Sequence, residues 1–304
     1  MAGSGAPGAS IDAGFRWGIY EKALPAGASW PAMLSAAAAA GYQFVEISVD
    51  ESDERLARLE WPAAERRVFH EALAGGPVSV DTMCLSGHRR FALGSASRPQ
   101  REKALEIMRR AIDFAAEFGV RIVQVAGYDV HYEQSTDETR ALYAEAIARA
   151  AEWARRSCVM LALENVDCPV VDSIEAALRF VRAADTPWLQ VYPDIGNLAA
   201  MGKDVEHELL LGGRHLVGLH LKDTRRGEFR RVPFGEGIVD FDAAFRTLKQ
   251  IGFRGPLMVE MWNDAAPDAT AVIARARQWL GEKLRKASVP LFPVPPANPG
   301  HVEV

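Results

Sequence analysis

The regular alternation of short apolar runs with longer amphipathic stretches is the feature that most constrains how this chain can fold. Each run is short and mostly apolar, which is typical of a parallel strand buried on both faces. The runs lie at 16–20, 44–49, 78–85, 122–127, 159–165, 189–194, 216–222 and 256–262. Helical patterns separate them, at 29–41, 52–74, 98–118, 138–156, 173–184, 204–211, 241–250 and 268–285. Eight strands alternating with helices predict an α/β fold of the (β/α)8 TIM-barrel type.

Glycine marks the return from helix to strand at three places, Gly41, Gly119 and Gly252. A glycine there can take the left-handed conformation that ends a helix and lets the chain re-enter a sheet. A doubly wound open sheet is the alternative fold. It is disfavoured because no glycine-rich nucleotide-binding motif follows the first predicted strand.

The two ends of the chain differ in composition from the rest. We expect a Gly/Ala/Ser-rich flexible leader at 1–14, a single barrel at 15–286 and a Pro-rich extended tail at 287–304. The cysteines are three in number and form no CxxC pair, so we expect no disulfide framework and a cytoplasmic location. No apolar stretch has the length of a membrane span, and the net charge of −5 argues against a nucleic-acid partner.

Four polar side chains stand at the ends of the last four predicted strands: Glu164, Asp194, His220 and Glu260. Barrel enzymes place their chemistry at these carboxyl ends, so the four side chains are expected on one rim. Carboxylates inside apolar runs are costly to bury without a partner, and three of them would repel each other. A divalent ion resolves both problems, and this donor set suits Mn²⁺, Co²⁺ or Mg²⁺, with Zn²⁺ also possible. Separate pairing of each acid with a nearby Arg or Lys is the alternative.

The quartet stands among motifs that, in this order and spacing, resemble the L-ribulose-5-phosphate 3-epimerase family. These motifs are GIYEKALPAG, FVEISVDESDERLARL, MCLSGHRRF, AGYDV, YPDIGNL, HLKDT, VPFGEG and VEMW. The family, also called L-xylulose-5-phosphate 3-epimerase, belongs to the xylose-isomerase-like TIM barrels. The resemblance runs from about Trp17 to about Leu284 and leaves out both terminal segments.

The resemblance implies an isomerase of carbohydrate metabolism with one divalent metal ion held by the quartet. It also implies that Glu164 and Glu260 act as acid and base in interconverting L-xylulose 5-phosphate and L-ribulose 5-phosphate. The chemistry agrees with this assignment, because epimerisation at C3 removes a proton from one face and returns one to the other through an enediolate. A metal ion stabilises the negative charge of that intermediate. Which glutamate serves which face is left open.

A sugar phosphate also needs a site for its dianion. The segment after the third predicted strand offers His88 and Arg89, which we favour as phosphate ligands. A site near the last two strands is the alternative, since many barrels bind phosphate there. The other residues expected to contact substrate are Lys22, Asn197, Lys222 and Glu236. Glu46, on the second strand, faces the same rim and is a candidate partner for a metal ligand.

The residues by themselves are also compatible with other functions. The same metal site suits an epimerase or isomerase of an unphosphorylated ketose or of a hexulose 6-phosphate. A metal-dependent DNA endonuclease needs more His ligands and a less acidic chain, and a sugar-phosphate sensor has no use for two catalytic glutamates. We therefore expect a small sugar phosphate as ligand, no nucleic acid or membrane partner, and a homodimer or larger homo-oligomer.

Overall fold

The computed structural model describes residues 15–263 and 268–287, and the predicted leader and nearly all of the predicted tail lie outside these residues. No helix among the described residues is long and apolar enough to cross a membrane. The strands are β1 (Trp17–Tyr20), β2 (Phe44–Val49), β3 (Ser79–Leu85), β4 (Ile122–Ala126), β5 (Met160–Glu164), β6 (Leu189–Val191), β7 (Leu219–Leu221), β8 (Asp223–Arg225), β9 (Glu228–Val232) and β10 (Leu257–Val259).

Eight of these strands form one parallel sheet that closes into a barrel. Its order is β6-β5-β4-β3-β2-β1-β10-β7, so neighbours in the sheet follow the order of the chain once β8 and β9 are set aside. Parallel bridges join Val191 to Leu216 and Asp194 to His220, which connects the two ends of the sheet. The eight strands are those expected from the apolar runs, and the predicted TIM barrel is confirmed.

The helices lie around the sheet, and the longer ones bury apolar residues against it. They are α1 (Trp30–Ala39), α2 (Asp53–Leu56), α3 (Ala63–Gly75), α4 (Arg98–Phe118), α5 (Asp137–Arg156), α6 (Ile174–Ala184), α7 (Ile195–Ala200), α8 (Val205–Gly212), α9 (Phe241–Gln250) and α10 (Ala269–Lys286). Gly119 follows α4 with φ of 73°, as its position in the sequence predicts. The short helix α7 is not predicted, because its six residues follow β6 almost directly.

An antiparallel hairpin, β8–β9, rises from the end of β7 and is also not predicted from the sequence. Its strands have three and five residues and are largely charged, so they carry no apolar signal. Asp223 anchors the chain around it, accepting hydrogen bonds from the backbone N–H groups of Gly235 at 2.8 Å and Gly237 at 3.0 Å. The hairpin therefore stands at the carboxyl ends of the strands, where the sequence places the chemistry.

A buried ion pair fixes the chain just after β1. The Glu21 carboxylate accepts two hydrogen bonds from Arg58, at 2.6 and 2.7 Å, and one from the backbone N–H of Ser48 at 2.8 Å. Arg55 adds a second guanidinium 2.7 Å away. Burial opposes the ionisation of Glu21, but the arginines outweigh it and lower the pKa of this carboxyl below its usual value.

Substituting Glu21→Gln is expected to destabilise the protein by about 3 kcal/mol at pH 7, because a buried guanidinium loses its counter-charge. Since the pKa of Glu21 is lower in the folded state, its contribution is complete above the unfolded pKa of about 4.3 and is lost as the pH falls through the folded pKa. Urea unfolding of both proteins between pH 7 and pH 3 measures the difference. A difference that stays constant over this range would show that the charge of Glu21 is not what stabilises the fold.

Candidate metal centre and substrate cavity

The barrel brings the four candidate ligands together at one rim. Glu164 ends β5, Asp194 follows β6, His220 lies in β7 and Glu260 follows β10. All four are buried, and each offers a ligand atom within 4.8 Å of the others. The Nδ1 atom of His220 lies 2.9 Å from Oε1 of Glu164 and 3.8 Å from Oε2 of Glu260. The sequence pattern of four consecutive strand ends thus becomes one cluster in space.

The two oxygens of Asp194 have different environments. Its Oδ1 accepts hydrogen bonds from the backbone N–H groups of Gly196 at 2.8 Å and Asn197 at 3.1 Å, which caps α7. Its Oδ2 is buried and receives no well-aligned hydrogen bond, although it forms an ion pair with Lys222. Asn165 fixes the backbone of Asp194 from both sides, at 2.9 and 3.0 Å. One oxygen is therefore structural and the other is left to face the centre of the cluster.

Burial and charge set the protonation of the cluster. Burial raises the pKa of Asp194, and the carboxylates of Glu260 and Glu164 raise it further against the opposing effect of Lys222. The pKa of Glu260 is lowered despite its burial, because the Lys222 ammonium and His220 lie beside it. Burial disfavours a charged His220, but Glu46 and Glu164 raise its pKa well above the usual value. A divalent ion bound here would displace protons, which is the ordinary behaviour of such sites.

The cluster fits a divalent ion by its donors. Three carboxylates and one imidazole suit Mn²⁺, Co²⁺, Mg²⁺ or Zn²⁺. A second set of polar side chains holds these donors in place. The Oε1 atom of Glu46 lies 3.1 Å from Nε2 of His220, and its Oε2 accepts a hydrogen bond from Thr82 at 2.8 Å. The amide of Gln124 donates to Oε2 of Glu164 at 2.6 Å. The Nδ1 atom of His220 is thus the one directed at the candidate ligands.

Glu46→Gln is expected to weaken Mn²⁺ binding by roughly 10- to 100-fold, because a carboxylate behind a ligating imidazole fixes its orientation and raises its basicity. Competition with a fluorescent chelator measures the affinity. Glu145→Gln, on the exposed face of α5, is the matched control and should bind Mn²⁺ as the wild type does. Equal affinities for the Glu46 variant and the wild type would show that this contact does not support the site.

A cavity opens above the cluster and carries several positive charges. Arg89, in a short turn after β3, stacks its guanidinium over the ring of Tyr128 at 5.4 Å. Lys22 pairs with Asp50 at 2.5 Å, and Arg230 of the hairpin lies over the ring of Trp262 at 5.7 Å. The lining includes Tyr20, Lys22, Cys84, Ser86, Arg89, Tyr128, Glu164, Asp167, Asn197, Lys222, Phe229, Arg230, Glu260 and Trp262.

Four of the six residues predicted to contact substrate line this cavity: Lys22, Arg89, Asn197 and Lys222. The structure does not bring the other two there. The His88 ring is buried with Nε2 at 3.1 Å from the carbonyl of Ala104, and burial lowers its pKa to about 4, so it is a neutral packing residue. Glu236 is exposed and accepts a hydrogen bond from Arg225 at 3.1 Å.

Both polar atoms of the Asn197 side chain already have protein partners. Its Nδ2 donates to the carbonyl of Asn165 at 2.9 Å, and its Oδ1 accepts from the Lys222 ammonium at 3.0 Å. It therefore holds Lys222 in place at the cavity wall.

Several cavity residues were not predicted to contact substrate, among them Tyr128, Asp167, Arg230 and Trp262. Trp262 follows Glu260 by two residues, so its position at a strand end was a usable signal. Tyr128 donates a hydrogen bond to Asp167 at 2.5 Å and so connects the loops after β4 and β5. Arg230 gave no signal, because its place depends on the hairpin.

Comparison with known proteins places the chain in a family. A family model described as the xylose isomerase-like TIM barrel matches residues 34–283. The L-ribulose-5-phosphate 3-epimerase UlaE of Salmonella paratyphi A is 48% identical over 272 residues, which cover 90% of this chain and 96% of that protein. The protein of the same name from Escherichia coli O157:H7 matches with the same identity and coverage.

Solved structures agree on the fold. A structure of L-ribulose 3-epimerase superposes with a TM-score of 0.74 at 21% identity, covering 90% of this chain and 96% of that one. D-allulose 3-epimerase from Methylomonas sp., in complex with D-allulose, superposes with a TM-score of 0.73 at 19% identity, covering 89% and 98%. At such identities the likeness shows the fold alone. The curated relatives and the family model go further: this chain is an isomerase of the L-ribulose-5-phosphate 3-epimerase family, within the xylose isomerase-like TIM barrels.

Proposed function

We propose that this protein is a metal-dependent 3-epimerase that interconverts L-xylulose 5-phosphate and L-ribulose 5-phosphate. The observation that carries the proposal is the convergence of Glu164, Asp194, His220 and Glu260 within 4.8 Å. Two of them, Glu164 and Glu260, line a cavity that four cationic side chains also line. The names of the curated relatives support the same reaction.

The four buried residues would hold the ion, with Asp194 offering Oδ2 and His220 offering Nδ1. Bound there, a divalent ion supplies a Lewis acid that polarises the ketone and stabilises negative charge as C3 loses its proton. The site excludes bulk water by burial, which strengthens such electrostatic effects. Mn²⁺, Co²⁺, Mg²⁺ and Zn²⁺ all match the donors.

The two glutamates supply the proton transfers. Glu164 and Glu260 lie on strands three apart in the ring, so their carboxylates approach the cavity from different sides. One removes the C3 proton to give the enediolate, and the other returns a proton to the opposite face. Gln124 and His220 hold Glu164. This carboxylate is therefore positioned before substrate arrives.

The cationic side chains of the cavity suit the phosphate. Lys22, Arg89 and Arg230 come from three separate segments and all line it. A guanidinium fork binds a phosphate through two parallel hydrogen bonds, which a neutral sugar hydroxyl cannot match in strength. These charges favour a phosphorylated substrate over the free ketose that the metal site alone would also accept.

Removing the metal is expected to abolish the reaction. Protein stripped with a chelator should not convert L-xylulose 5-phosphate into L-ribulose 5-phosphate, as followed by NMR, and adding Mn²⁺ or Co²⁺ should restore conversion. Full activity in protein that metal analysis shows to be free of divalent ions would overturn the proposal. A cytoplasmic location, a homodimer or larger homo-oligomer, and no nucleic-acid or membrane partner stay predictions.

A further inference from the structure

Lys222 stands inside the candidate metal centre rather than beside it. It follows His220 by two residues, and its side chain is buried. The ammonium forms an ion pair with Asp194 and lies 2.9 Å from Oε2 of Glu260. Two of the four candidate ligands therefore already share one positive charge that belongs to the chain.

The ammonium contacts an oxygen that a metal ion would need. Oδ1 of Asp194 is engaged in capping α7, so Oδ2 is the atom left for a metal, and Lys222 contacts Oδ2. Lys222 also lies 2.9 Å from Oε2 of Glu260, the oxygen that is 3.8 Å from Nδ1 of His220. Two cations close together in a buried site repel strongly, so the ammonium and a divalent ion compete for these carboxylates.

A third contact, to Asn197, offers the ammonium an alternative partner outside the acidic cluster. Its hydrogen bond to Oδ1 of Asn197, at 3.0 Å, is independent of the acidic cluster, and the ring of Trp262 lies 5.8 Å from Nζ. Lys222, Asn197 and Trp262 all line the substrate cavity. A small movement of the lysine side chain would leave the carboxylates and keep Asn197.

We propose that Lys222 is an internal counter-cation: it stabilises the acidic cluster before the metal binds, and the metal displaces it from Asp194 and Glu260 onto Asn197. This inference rests on the metal centre of the proposed function. It explains how three carboxylates stay packed together in a metal-free chain. It also makes metal affinity a balance between the ion and a residue of the chain, so the ion remains exchangeable.

The test compares Lys222→Met with Lys22→Met, which removes a positive charge from the same cavity without touching the cluster. Mn²⁺ affinity is measured by competition with a fluorescent chelator at pH 8, where protons compete little. Lys222→Met should bind Mn²⁺ roughly 10-fold or more tightly than the wild type, because no ammonium must be displaced. The Lys22 variant should stay within about threefold of the wild type, since the Lys22 ammonium pairs with Asp50 and not with a candidate ligand. Unchanged or weaker binding by Lys222→Met overturns the proposal.

Thermal unfolding with and without Mn²⁺ gives a second readout that a merely structural lysine would not produce. Metal-free Lys222→Met should melt roughly 5–10 °C below the metal-free wild type, and saturating Mn²⁺ should remove most of the gap. A variant that folds only with Mn²⁺ is the extreme form of the same result. If it stays unfolded with Mn²⁺, Lys222→Gln is measured in the same way, and failure of both overturns the proposal. A wild type that binds no Mn²⁺ would instead refute the metal centre itself.

Discussion

Replacing Glu164 by Gln is expected to lower kcat for L-xylulose 5-phosphate by roughly 10³-fold or more, since a positioned acid or base contributes about 10²- to 10⁴-fold. The amide keeps the size of the side chain and one oxygen toward the centre, but it can neither accept nor return the C3 proton. Three of the four candidate ligands stay intact, so the variant should retain bound metal. Initial rates by NMR, together with the metal content of the same sample, measure both effects.

Glu145→Gln makes the same chemical change on the exposed face of α5 and should leave kcat within about twofold of the wild type. Retained metal with lost turnover separates a proton-transfer role from a purely ligating one. A fully active Glu164→Gln enzyme would remove this residue from the catalytic pair.

Taking the phosphate from the substrate is the second change with a large expected effect. We expect the wild type to use free L-xylulose with a kcat/KM roughly 10³-fold below that for L-xylulose 5-phosphate, because Lys22, Arg89 and Arg230 lose their anion. Arg89→Met should lower kcat/KM for the phosphorylated substrate by about 10²-fold, as loss of a charged, bidentate contact predicts. In the same variant, kcat/KM for free L-xylulose, which is already low, should differ from the wild-type value by no more than a few fold.

The comparison of the two substrates tests whether Arg89 binds the phosphate. Its guanidinium also packs on Tyr128 at 5.4 Å, so a local rearrangement would slow both substrates alike. Equal losses on both would mean that Arg89 supports the cavity wall and does not bind the phosphate.

The sequence predicted the barrel and the four candidate metal ligands because both depend on local patterns. An apolar run with a polar residue at its end indicates a strand that stops at the catalytic rim, whatever the rest of the chain does. Glu164 and Glu260 illustrate this, since Glu164 is the last residue of β5 and Glu260 directly follows β10. Glu46, in the middle of β2, was predicted as a partner for a ligand because it faces the same rim, and its Oε1 lies 3.1 Å from Nε2 of His220.

The substrate cavity was predicted less well, because it depends on side-chain directions within turns and on packing between distant segments. His88 and Arg89 are adjacent in one short turn, yet one ring faces α4 and the other side chain faces the cavity. No spacing rule separates such neighbours. Arg230 reaches the cavity on a hairpin whose anchor, Asp223, holds backbone groups twelve and fourteen residues further along the chain.

Deuterium incorporation tests most directly whether two carboxylates exchange the C3 proton of the sugar phosphate with solvent. L-xylulose 5-phosphate is converted in D₂O by the Mn²⁺-loaded protein, and NMR follows C3 of the L-ribulose 5-phosphate that forms. Two-carboxylate transfer predicts deuterium at C3 of nearly all product molecules. Product that keeps the original C3 hydrogen would contradict the account, even if the two sugar phosphates interconvert.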